Sequence, residues 1–98
     1  MDGMVERLCH VATQDALGQK RLVGAPFLHC CTEAQLGFVL ARHFAGRSGL
    51  LVLRFDPAMA EGRILWEQSE PDQDPFPHLY GALPLQAVVA TAAPGAWG

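Results

Sequence analysis

Ninety-eight residues, half of them apolar, 17% charged and with a net charge of −3, describe one small globular domain rather than a disordered chain. The longest basic run is Lys20-Arg21, which argues against a nucleic-acid partner, and no stretch approaches the ~20 apolar residues of a membrane span. Three cysteines, two of them adjacent, and no leader-like apolar run beside Asp2 and Glu6 point to a reducing, cytoplasmic setting.

In chain order, "RLCHVA" (7–12) reads as a first strand, and Thr13 as the cap of a short helical turn in "QDALGQK" that Gly18 ends. "RLVGAPFLHC" is extended and interrupted by Gly24 and Pro26. "TEAQLGFVLARHFAG" is the long helix. Thr32 and Gln35 stand in capping-box spacing, Leu36, Val39, Leu40, His43 and Phe44 share one face, and Gly46 stops it.

"GLLVLRFDP" is a strand buried on both faces and closed by an Asp-Pro turn, and "GRILWE" is the next strand. "QSEPDQDP" is a loop. "FPHLYGALP" is extended, because a residue before proline is pushed out of the helical region. Pro77 fixes the chain at His78, while Gly81 and Pro84 turn it away. "LQAVVATAA" makes a last strand. Residues 7–91 form the domain, and 1–6 and 92–98 are flexible termini, with Trp97 as a tether for the tail. Many strands around one long helix and a short one make an α+β fold.

His10, His29 and His78 each lie in an extended segment among apolar neighbours, and a buried imidazole is costly without a partner. Three of them, with Tyr80 two residues from the last, point to a shared cleft that takes a small-molecule ligand. Glu67, at a strand end beside Trp66, belongs with them, whereas His43 on the helix reads as structural. Zinc is not expected: no Cys-x-x-Cys or His-x-x-x-His pair occurs, and Cys30 and Cys31 face opposite sides of a strand. A thiol nucleophile at Cys30 or Cys31 stays open, because a helix N-terminus follows and lowers a thiol pKa. So does a simple core role for at least one of the two.

"LCHVAT", "PFLHCCTEAQL", "LLVLRFDP", "ILWE" and "FPHLYGALPLQAVV" together resemble the domain-of-unknown-function family 952 of small bacterial and plant proteins. The resemblance implies a minimal ADP-ribosyltransferase-like fold, with bent, split, mostly antiparallel β-structure around a cleft for an NAD-like nucleotide. It implies His10 and Glu67 as catalytic residues, and His29, Thr32, Trp66, His78 and Tyr80 as ligand contacts, Trp66 or Tyr80 stacking on a ring. Arg54 and Arg63 are available for an isolated phosphate. Val11 stands where such transferases place glycine, and Pro26 where the smaller family often has glycine. The alternative is a non-catalytic binding or interaction module that kept the fold and lost the chemistry. Neither the reaction nor the oligomeric state is legible.

Overall fold

The computed structural model describes residues 6–68 and 70–94. The first strand, β1 (Leu8–Thr13), is followed by a 3₁₀ turn at Gln14–Gly18, then β2 (Arg21–Val23), β3 (Leu28–His29) and β4 (Cys31–Thr32). The helix α1 (Glu33–His43) leads to β5 (Leu50–Phe55), β6 (Glu61–Glu67), β7 (Phe76–Pro84) and β8 (Val88–Ala92). All strand pairs are antiparallel, in two sheets. The α+β expectation of mostly antiparallel strands with one long helix holds.

The first sheet has the order β4-β1-β5-β8. In the second, β7 is central: β2 and β3 lie end to end along one side of it, and β6 runs along the other. The period-2 alternation of strands divides the first sheet cleanly. Leu8, Leu53 and Phe55 pack against Leu22, Leu28, Leu79 and Leu83 of the second sheet. Cys9, Val11, Leu50 and Val52 pack against Leu36, Val39, Leu40 and Phe44 of the helix. A sheet covered on both faces explains why "LLVLRF" is nearly continuous in apolar residues.

The helix begins as its capping box dictates. Thr32 Oγ1 accepts from the Gln35 amide at 3.1 Å, and Gln35 Oε1 accepts from the Thr32 amide at 3.0 Å. The Asp-Pro turn is a 3₁₀ turn at Pro57–Met59, its first free amide bonded by the Asp56 side chain.

Three expectations are corrected. Residues 85–87 form a 3₁₀ turn, so only Val88–Ala92 of "LQAVVATAA" is strand, and that strand runs to Ala92 rather than fraying there. β7 does not turn away at Gly81 but continues to Pro84. Gly81 faces Gly62 across the β6–β7 pair, where the two backbones approach too closely for side chains. A Cβ at Gly81 would overlap the Glu61 carbonyl, and one at Gly62 (φ +107°) the Tyr80 carbonyl. The expectations for residues 1–5 and for the tail with Trp97 lie outside the described residues.

Gly81→Ala is therefore expected to cost roughly 1–3 kcal/mol. Gly37→Ala, in the helix with open space around it, should stabilise by about 0.5–1 kcal/mol. Urea midpoints of the two variants check the opposite signs.

Candidate functional site at the split between the sheets

Between Leu28 and Thr32 the chain changes sheets. Leu28 and His29 pair with Leu79 and His78 of β7, whereas Cys31 and Thr32 pair with Cys9 and Leu8 of β1. Cys30 is the crossing residue, its amide bonded to the Pro77 carbonyl at 3.1 Å. β4 covers only Leu8 and Cys9, so from His10 onward that edge of β1 has no neighbouring strand among the described residues. The gap is a cleft of about 410 Å³. Its walls carry His10 from β1, His29 from β3, His78 from β7, and Arg42, His43 and Phe44 from the end of the helix. Phe76 and the loop residues Glu70 and Gln73 complete it.

His10 Nδ1 donates to the His29 carbonyl at 2.7 Å. A carbonyl only accepts, so the neutral ring carries its proton on Nδ1 and leaves the Nε2 lone pair free. Burial pushes the pKa of His10 down, partly opposed by that hydrogen bond, and burial with the nearby His78 and His43 pushes His29 down. Both imidazoles are therefore neutral acceptors at neutral pH.

On the second sheet, Phe27, His29, His78, Tyr80 and Glu67 assemble on one face. Phe27 stacks on His78 with centroids 4.0 Å apart and rings 19° from parallel. The His29 ring meets His78 edge-on at 5.5 Å, and Tyr80 is 5.1 Å from Phe27. Glu67 Oε1 accepts from His78 Nδ1 at 2.8 Å and from the Tyr80 hydroxyl at 2.5 Å. The hydrogen bond from Tyr80, then that from His78, holds the Glu67 carboxyl below its ordinary value, and Glu67 in turn raises Tyr80.

Of the residues singled out from sequence, His10, His29 and His78 line the cleft, and Glu67 and Tyr80 join it through His78. Two do not come together with them. Trp66 lies between Leu65 and Glu67 on β6 and so projects from the opposite face of the strand, about half exposed. Thr32 spends its hydroxyl on the helix cap. Arg54 pairs with Glu33, and the guanidinium that reaches the cleft is Arg42, 3.7 Å from Glu70.

Of the two readings left open for Cys30 and Cys31, burial favours the core role. All three cysteines are buried, and burial pushes Cys9 up to about 11 and Cys30 and Cys31 up to about 12. The helix N-terminus after Cys31 does not offset that desolvation. Cys30 and Cys31 do face opposite ways, one into each core. No group of three or more metal-ligating side chains with metal geometry occurs among the described residues.

Sequence reasoning missed Phe27 and the helix's last turn. Phe27 immediately precedes β3, and its ring packs on both His29 and His78. His43, read as structural, is exposed on the cleft wall. Nothing local marks Arg42 and His43 as facing a gap between two sheets.

Residues 8–91 match the family described as "Protein of unknown function (DUF952)". The chain belongs to this family. Two solved structures of protein CC0527 from Caulobacter crescentus, a structural genomics target and its double mutant, share the fold. Each aligns at a TM-score of 0.75 with 23% identity, over 88% of this chain and 83% of the other. No curated protein matches. The DUF952 assignment covers every strand of the cleft, β1, β3 and β7 included. No helix among the described residues is long and apolar enough to cross a membrane.

Two outcomes are expected. Thr32→Ala should cost about 1 kcal/mol as a lost cap, with Thr32→Ser near wild type, and neither should move the histidine resonances of the cleft. For His10 and His29 the native pKa lies below the ordinary 6.5, so below that pH the unfolded chain binds more protons than the native one. Stability is then fully present above about pH 6.5 and falls as pH drops. The depressed Glu67 adds a further loss below its ordinary 4.5. Urea titrations at pH 7.5 and 5.5 should show this slope, and His10→Gln should reduce it.

Proposed function

We propose that the cleft binds a small nucleotide-type ligand, of which an NAD-like nucleotide is the leading instance. The observation that carries the reading is the convergence of imidazoles from three separate strands, with the Nδ1 of His10 held by the His29 carbonyl. Neutral imidazole nitrogens accept hydrogen bonds from sugar hydroxyls. Arg42 suits a phosphate at the rim, and Phe44 and Phe76 supply apolar wall for a base. A volume of about 410 Å³ falls toward the small end of ligand pockets, which run ~300–1,000 Å³. It suits one nucleotide half better than a complete dinucleotide.

In this reading the split sheets are an ADP-ribosyltransferase-like architecture in reduced form, His10 and the hydrogen-bonded pair His78–Glu67 are the candidates for chemistry, and His29 and Tyr80 are ligand contacts or supports for them. Thr32 and Trp66 drop out as contacts for the reasons of geometry given above. A cytoplasmic, reducing setting suits Cys9 and Cys31, which face one another across β1 and β4 as thiols.

A second reading, a binding module without chemistry, is favoured by Val11, which lines the cleft where glycine would let a nicotinamide amide approach the backbone.

Calorimetry and histidine NMR with AMP, ADP-ribose, NAD and nicotinamide test both. Binding is expected in the micromolar to millimolar range, with shifts at His10, His29 and His78 that Arg42→Ala weakens for the phosphorylated ligands only. No heat and no shift with any of the four ligands rejects the nucleotide reading. Binding of NAD without cleavage of the nicotinamide bond over hours favours the module.

A further inference from the structure

We propose that His78 Nε2 is the proton-accepting atom of the cleft, with Glu67 as its positioning residue and Tyr80 as the clamp on Glu67; this deepens the small-ligand reading and rests on it. His78 is the one buried polar side chain of the described residues, 6% exposed, yet its ring forms part of the cleft wall. Three contacts fix it. Phe27 covers one ring face, His29 meets it edge-on, and the Glu67 carboxylate takes Nδ1 at 2.8 Å.

A carboxylate acceptor requires the proton on Nδ1, so the neutral ring keeps an open lone pair on Nε2. Glu67 itself is anchored. Both His78 and Tyr80 donate to the same oxygen, Oε1, from two strand positions, 78 and 80, that share one face of β7. A base within reach of a ligand and oriented by a third group is the general form of an activated acid–base site.

The ligand feature this atom recognises is a hydroxyl. On proton transfer the ligand O–H bond breaks, an Nε2–H bond forms, the electron pair stays on the ligand oxygen, and the imidazolium positive charge lies against Glu67. Glu67 therefore serves through His78 rather than at the reacting atoms. This differs from the sequence expectation that its carboxylate meets the ligand directly.

Long-range ¹⁵N–¹H NMR at pH 7.5 tests the assignment without any ligand. Wild type should show His78 protonated on Nδ1 and bare at Nε2. Glu67→Leu should move the proton toward Nε2, with His10, bonded to a backbone carbonyl, unchanged as the internal check of folding. Should Glu67→Leu not fold, Glu67→Gln is expected to give mixed tautomers. Tyr80→Phe should keep the wild-type tautomer.

AMP affinity by calorimetry should fall about tenfold in Glu67→Leu, roughly the loss of one oriented hydrogen bond. A wild-type His78 carrying its proton on Nε2, or AMP binding equally well after the tautomer has moved, overturns the proposal. A wild type that shows the Nδ1 tautomer, lost in Glu67→Leu, but does not bind AMP supports the His78–Glu67 assignment and sinks the nucleotide reading alone.

Discussion

The structure turns on one constraint: five residues, Leu28 to Thr32, must serve two sheets. Their first two pair with β7 and their last two with β1, and Cys30 makes the crossing between them. A strand that stays in one sheet would have covered the whole edge of β1. Because this one leaves, no strand among the described residues pairs with β1 from His10 onward on that side, and the cleft occupies the gap. The cap residue of the helix follows at once, so the helix is delivered across the opening and contributes its last turn to the wall. Sheet pairing, cleft and helix position are consequences of the same local switch.

The polar groups of the cleft are partnered in a graded way. His10 has a backbone acceptor, His78 a carboxylate, and His29 neither, being held by the rings of Phe27 and His78. In each of the first two cases the partner takes Nδ1 and leaves Nε2. Unpaired polar atoms in a buried setting cost free energy, and here they belong to residues that line the cleft. That distribution is what separates this cluster from ordinary core histidines, whose nitrogens are satisfied within the fold.

Much of this was legible in the sequence, and for identifiable reasons. The capping box Thr32–Gln35 marks a helix start by local chemistry alone, and both of its bonds form. The unbroken apolar run at Leu50 to Leu53 reports a strand covered on both faces. His78 and Tyr80 on one strand face follow from a period of two. What failed was, in each case, something needing knowledge of neighbours. Gly81 reads as a turn signal, but its use is to let β6 and β7 pass at close range. Trp66 sits next to Glu67 in sequence and therefore opposite to it in space. The helix start after Cys31 keeps a thiol nucleophile open in sequence, and burial of both cysteines decides for the core role. His43 lies on the apolar stripe by spacing, but at the helix end that stripe runs past the sheet and into the opening.

The acceptor for His10 is a main-chain oxygen. No side-chain replacement at position 29 deletes it, so the locked imidazole on the first strand and the aromatic contact on the third can drift apart over evolutionary time. Loss of the ring at 29 would then alter the wall of the opening without disturbing the proton on its neighbour. The two histidines touch, and yet they are heritable as separate traits.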